Sequence, residues 1–344
     1  MGHPTTPAKS RSVGLDPHTA PPSPRPANDT QPPSVSVVVP VYNSARGLPF
    51  LVERVAAVLD PVADLYELVL VNDGSRDDSW DRILDLASNR PWLRGVDLMR
   101  NYGQHNALLC GLKAARYQVI VTIDDDLQNP PEEIPKLLSR LSEGFDVVYG
   151  TPIDEQHPLW RGLASRVTKL VLQSAMGADS ARSVSAFRAI RAPVRRAFEH
   201  YEGPYVSIDV LLTWGTTRFT SVPVRHDERR IGESNYTFRQ LIRHALSMMT
   251  GFSVLPLQLA SVVGFAFTLF GMAVLAYVLG RWMVQGSVVA GFPFLASIIA
   301  IFSGAQMFAL GIIGEYLARM HFKMMERPAY AVRTRTDDEG HAGE

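Results

Sequence analysis

Between residues 34 and 149 the chain alternates short β-branched runs with helix-like segments, and that alternation leaves few folds open. The runs cover 34–40, 67–72, 93–98, 117–123 and 145–149, and helices are expected over 48–59, 77–88, 104–115 and 131–142. The first run is almost continuous in valine, as a strand covered on both faces should be. Strict β-α alternation argues an α/β chain with a parallel, doubly wound sheet. Ligands of such sheets bind in the crevice outside the carboxyl ends of the strands. The polar residues that follow each run therefore carry the functional information: Tyr42 and Asn43, Asp73, Asn101 and Gln104, and Asp124 to Asp126. Each is weak alone; together they would gather on one edge.

The richest of these turns reads Asp124-Asp125-Asp126-Leu127-Gln128-Asn129-Pro130-Pro131, after an apolar strand and before a helix start. Asp124 and Asp126, two apart, can converge on one side of the turn, and Gln128 adds a neutral oxygen. Two readings stand: an acidic turn facing water, or a site for Mg²⁺ or Mn²⁺ that in turn holds a diphosphate. Neither G-x-G-x-x-G nor a P-loop follows the first strand, which argues against a dinucleotide or phosphate cradled by glycine amides.

Composition matters mainly through its asymmetry. Lys+Arg and Asp+Glu are both 34, so net charge gives no nucleic-acid footprint. The single cysteine, Cys110, rules out an internal disulfide and sits in what looks like a helix packing position. Residues 1–33, rich in Pro, Ser and Thr, read as a disordered cytosolic tail without the apolar core of a signal peptide. Beyond 150 an amphipathic helix is expected over 157–176, a strand at 183–188, a helix at 205–214 and a strand at 218–224. The polar loop 226–236 is either a solvated surface loop or a mobile lid whose arginines meet phosphate. Residues 238–249 suit an interfacial helix. Runs 255–279 and 292–313 are each long enough to cross a bilayer. Positive flanks (Arg239, Arg243, Arg319, Lys323, Arg327) place both ends in the cytosol. Small residues in both runs leave room for a homo-oligomer.

Several motifs together resemble the family 2 glycosyltransferases of the polyprenyl-phosphate type. They are Val39-Pro40-Val41-Tyr42-Asn43, Val71-Asn72-Asp73-Gly74-Ser75, Arg100-Asn101-Tyr102-Gly103-Gln104-His105 and the acidic turn. Further on come Phe187-Arg188, Arg229-x-x-Gly232-x-Ser234-x-Tyr236 and the apolar hairpin. The resemblance spans roughly residues 34–330. It implies a GT-A, Rossmann-like catalytic domain over 34–235, an interfacial helix over 236–250, a transmembrane hairpin over 251–317 and a cytosolic tail over 318–344. It implies that Pro40, Tyr42, Asn43, Asp73, Asn101, Gln104 and Asp125 contact the donor. Asp124, Asp126 and Gln128 would hold Mg²⁺ or Mn²⁺, with Asp124, Asp126 and Arg229 catalytic. Arg229 and Ser234 would close over the phosphates.

The sequence departs from that pattern in places. Ser44 stands where many relatives have Glu, Asn235 where the lid often has Lys, and Arg182 where some relatives have an aspartate. The arginine expected soon after the fifth strand is missing, which leaves Arg161 and Arg166 as candidate ligands of the acceptor phosphate. The expected activity is metal-dependent, inverting transfer from a nucleotide sugar, a UDP-sugar first, to a polyprenyl phosphate at the cytosolic face of the inner membrane. The alternatives are a GDP-mannose-dependent polyprenyl-phosphate mannose synthase and a non-catalytic membrane adaptor of the same fold. A processive polysaccharide synthase fits less well, because its Gln-x-x-Arg-Trp motif is missing.

Overall fold

The structure is a computed structural model of the chain; it describes residues 32–153, 184–203, 206–227, 255–285, 292–325 and 328–338. Its centre is an eight-stranded sheet. The strands are β1 (Val35–Val41), β2 (Tyr66–Asn72), β3 (Leu93–Leu98), β4 (Val119–Thr122), β5 (Val147–Pro152), β6 (Arg188–Arg191), β7 (Phe219–Val224) and β8 (Val332–Arg335). The order across the sheet is β7-β5-β6-β4-β1-β2-β3-β8. The helices between strands are α1 (Leu48–Leu59), α2 (Ser79–Ser88), α3 (Gln104–Ala114), α4 (Ile134–Ser142) and α5 (Ile208–Gly215).

Every residue of β1 is buried, as its valines demand, and its side chains divide by parity. Val35, Val37, Val39 and Val41 enter one core with the α1 and α4 apolar faces. Val38 enters the other, with α3 and α5. On α1 the buried residues are Leu48, Leu51, Val52, Val55 and Leu59, one stripe at helical spacing. Each such side chain contributes about 1.5–3 kcal/mol by leaving water. On the opposite face α3 lies unusually close to the sheet at Gly111, where an added Cβ would sit 2.2 Å from a Val38 methyl.

The sheet is mixed, which corrects the all-parallel expectation. Strand β6 runs antiparallel between β4 and β5, and β8 runs antiparallel on the outer edge of β3. The strand expected at 183–188 begins only at Arg188. Over the described residues before it, side chains take up backbone groups: Ser185 Oγ accepts from Phe187 N, and Thr122 Oγ1 donates to Ala186 O. Strand β8 lies inside the segment expected to be a tail. Its alternating half-exposed and exposed side chains suit a charged edge strand.

Pro40 lies in the central strand, where a residue with no N–H is normally excluded. Pairing of β1 with β4 stops at Val38↔Thr122, two residues before it, so the ladder on that side does not need its N–H. The chain that would have continued β4 instead turns away as the acidic segment.

Helices α6 (Leu255–Gln285) and α7 (Phe292–Met324) are 31 and 33 residues long. They touch where Phe302 packs edge-on against Phe267, ring centroids 5.6 Å apart, and over Gly271. Val262, Phe265, Phe270, Tyr277, Met307 and Phe308 are exposed along them. Among the described residues no helix is long and apolar enough to cross a membrane.

Candidate active site

The carboxyl ends of β1, β2, β3 and β4 bring four loops together. From β2, Asp73 is almost wholly buried and its carboxylate accepts from the backbone N–H groups of Tyr102 (2.7 Å) and Gly103 (2.8 Å). Asp73 N in turn donates to Val41 O, 2.9 Å. One aspartate thus ties the ends of β1, β2 and β3. Burial pushes its carboxyl up to about 6, against the pull of the two N–H donors and Arg100. Gly74, at φ +63°, fits against the backbone of Arg100 and Asn101 with no room for a Cβ.

From β4 comes the acidic turn. Asp124 Oδ1 accepts from Gln104 Nε2 at 2.6 Å, so the first residue of α3 reaches across to the acid. Asp125 points the other way. Its Oδ2 accepts from Tyr42 N (3.1 Å) and Ser44 Oγ (2.5 Å), clasping the loop after β1. Asp126 Oδ1 accepts from Gln128 N, 3.1 Å, closing the turn on itself. Leu127 takes a left-handed backbone, φ +59°, with its side chain buried in the core. A non-glycine residue there costs about 1–2 kcal/mol, which burial of the leucine offsets. Asn43 is left-handed as well, φ +55°. It accepts from Arg76 N (2.8 Å) and donates its own N–H to Ser75 Oγ (3.0 Å).

Burial first, then the charges of Asp126 and Asp125, push the Asp124 carboxyl up to about 7; Arg188 and Gln104 oppose the rise. Burial also raises Asp125, against its bonds to Ser44 and Tyr42. Crowded carboxylates of this kind are relieved by a cation. Among the described residues no three His, Cys, Asp or Glu side chains form a cluster able to hold a metal ion.

Behind the turn lies a buried cluster that the sequence announced only in part. Arg188, 2 % exposed, pairs with Asp209 of α5, and Tyr149 Oη donates to the same Asp209 oxygen at 3.1 Å. The Phe187-Arg188 motif hinted at it; the aspartate, 21 residues later, gave no signal.

Of the expected donor residues, Tyr42, Asn43, Asp73, Asn101 and Gln104 share the sheet edge with Asp124 to Asp126 and Gln128, while Pro40 is buried at the end of β1. The polar 226–236 loop begins beside the acid turn, because Asp227 N donates to Gln128 O at 2.8 Å. His226 Nδ1 stands 3.4 Å from Asn129 Oδ1. Arg161, Arg166, Arg229 and Ser234 lie outside the described residues, as do the expected 157–176 helix and most of the 226–236 loop. Cys110 is buried as expected, and burial pushes its thiol up to about 11.

Comparison with known proteins agrees with this geometry. The family model described as glycosyl transferase family 2 matches residues 36–187. The undecaprenyl-phosphate 4-deoxy-4-formamido-L-arabinose transferase of Yersinia enterocolitica is 36% identical over 307 residues, covering 87% of this chain and 92% of the relative. The enzyme of the same name from Yersinia pestis is 35% identical over 303 residues, with the same coverage. Among solved structures, glucosyl-3-phosphoglycerate synthase from Mycobacterium tuberculosis, in complex with Mn²⁺ and UDP, superposes with a TM-score of 0.48. It is 19% identical over 63% of this chain and 78% of that one, too loose a likeness to bear on function. The identity to the Yersinia enzymes over nearly the whole chain, and the family match across the strands that carry the site, show that this chain belongs to glycosyl transferase family 2.

Proposed function

We propose that this glycosyltransferase moves a sugar from a nucleotide donor, a UDP-sugar first, onto the phosphate of a polyprenyl phosphate at the cytosolic face of the inner membrane. One observation carries the reading. The acid turn, the buried Asp73 and the β1 loop face one edge of the sheet, in a chain similar over most of its length to transferases named for undecaprenyl phosphate.

In this reading Tyr42, Asn43, Asp73 and Asn101 form the donor-nucleotide side, and Asp125 keeps the Tyr42 loop closed over it. Asp124, Asp126 and Gln128 would hold Mg²⁺ or Mn²⁺. When bound, the ion supplies Lewis-acid stabilisation of the departing diphosphate. The attacking atom is an oxygen of the lipid phosphate. A phosphate monoester, with a second pKa near ~6, is largely anionic at neutral pH, so it needs orientation more than a base. The new bond joins that oxygen to the anomeric carbon, the bond to the nucleoside diphosphate breaks, and configuration inverts. Arg229 and Ser234 of the lid and Arg161 and Arg166 are assigned to the phosphates.

The long helices α6 and α7, with exposed apolar side chains and positive flanks, are assigned to a membrane hairpin, with both termini cytoplasmic. Incubating the purified protein with radiolabelled UDP- and GDP-sugars, undecaprenyl phosphate and Mg²⁺ or Mn²⁺ tests the proposal. A chloroform-soluble product from one donor supports it and names the sugar. Selective use of GDP-mannose moves the reading to a mannose synthase; no nucleotide binding at all favours an adaptor.

A further inference from the structure

Strand β8 carries an irregularity with a consequence for the donor site. Opposite β3, its register steps from Val332 to Thr334 while β3 steps only from Leu98 to Asp97. Arg333 is therefore the extra residue of a bulge, a device that re-aims a side chain next to a site. Arg333 Nη1 lies 3.2 Å from Asp97 Oδ2, and its Nη2 donates to Met99 O at 2.9 Å. Met99 N donates back to Ala331 O, also 2.9 Å.

Asp97 is a buried carboxylate in register with Asn72, whose Nδ2 donates to Asp97 Oδ1 at 2.7 Å. Asn72 Oδ1 accepts from Ser75 N at 3.4 Å, and Ser75 Oγ accepts from Asn43 N at 3.0 Å. A continuous polar chain thus runs from the C-terminal strand, through Asp97 and Asn72, to the turn that carries Asp73 and to the loop that carries Asn43. The same guanidinium holds the carbonyl of Met99, at the start of the segment that bears Arg100, Asn101 and Tyr102.

We infer that Arg333 is a positioning residue for the donor nucleotide: from the bulge of β8 it fixes the ends of β2 and β3, so the segment following the hairpin helps to shape the nucleotide side of the site. The inference rests on the donor assignment proposed above. The turn just beyond β8 provides an internal control. There Asp337 accepts from Arg94 Nε (2.8 Å) and Arg116 Nη2 (2.9 Å), which anchors the strand without touching Asp97.

The experiment is titration of the purified full chain in detergent with UDP and with GDP, in the presence of Mn²⁺, followed by steady-state kinetics on the active donor. Arg333→Ala is expected to weaken the bound nucleotide about two- to fivefold, the scale of an ion pair whose arginine side chain is 58 % exposed. Donor KM should rise with it, while kcat and the acceptor KM stay at wild-type values. Arg333→Lys, which keeps a charge beside Asp97, should recover part of the loss. Asp337→Asn, which loosens the strand's other end, should leave nucleotide affinity unchanged. Wild-type affinity in Arg333→Ala overturns the inference, as does an equal loss in Asp337→Asn, which would make β8 a general support. If Arg333→Ala does not fold, the smaller loss in Arg333→Lys carries the test, and wild-type affinity there overturns it. A wild-type chain that binds neither nucleotide sinks the donor assignment itself.

Discussion

Gly74 offers the sharpest test of how tightly the donor loops are fitted. A Cβ built there would lie 2.5 Å from both Arg100 C and Asn101 N and 2.9 Å from Arg100 Cα, all backbone atoms. Ordinary contact begins at 3.4 Å, so the 100–101 backbone must retreat by about 0.9 Å (3.4 − 2.5). Tyr102 and Gly103, whose N–H groups bind Asp73 at 2.7 and 2.8 Å, must move with it. Alanine also carries the strain of φ +63°, about 1 kcal/mol, on top of about 1–3 kcal/mol of overpacking. Gly74→Ala should therefore lose about 2–4 kcal/mol in chemical unfolding, and a misplacement of ~1 Å at the site can cost up to about 10²-fold in turnover. Gly74→Asn separates the causes, since asparagine tolerates the left-handed backbone but still carries a Cβ. Both variants should be impaired in stability and donor affinity. A Gly74→Asn protein that behaves as wild type would refute the packing argument and leave only backbone strain.

Asp126→Asn should reduce metal-dependent turnover at least about 10²-fold with the fold retained; undiminished turnover, measured across a Mn²⁺ titration, would remove the carboxylate from the reaction. Asp73, raised to about 6, holds a proton in the native state that the unfolded chain has released near pH 4. Its contribution to stability is therefore greatest below about pH 4 and declines as pH rises to about 6. The slope should become shallower in Asp73→Asn when the two proteins are compared by unfolding at a series of pH values, the remainder coming from Asp124 and Asp125, which are raised as well. Glu67→Gln, at a buried carboxylate that accepts from Ser36, Arg94 and the Arg116 N–H, should destabilise the sheet by about 1–3 kcal/mol, since Arg94 keeps Asp337, while leaving donor KM unchanged.

How much of this was legible in the sequence depended on where the partners of each residue lay. Strands β1, β2 and β4 were readable because strands buried on both faces are largely apolar along their length, and helix α1 because its buried stripe is local. The gathering of Asp73, Gln104 and Asp124 followed from one topological rule about strand ends. The direction of Asp125, toward the Tyr42 loop instead of the Asp124 side, did not, because adjacent carboxylates look alike until the turn is built. Strand β6 was misplaced because side chains of Thr122 and Ser185 satisfy the backbone before it, an arrangement set by tertiary contact. Strand β8 was missed because an edge strand of four residues, two of them arginine, carries no apolar signal. Its partners Asp97 and Arg94 lie more than 200 residues away in sequence.

The central claim is that the acid turn and its metal serve transfer onto a lipid phosphate. The direct measurement compares undecaprenyl phosphate with undecaprenol as acceptors for the same radiolabelled donor, each with Mn²⁺ and with EDTA, counting label in the chloroform phase. The account predicts label only with the phosphate and only with the metal. Transfer onto the free alcohol, or transfer that survives EDTA, would contradict it.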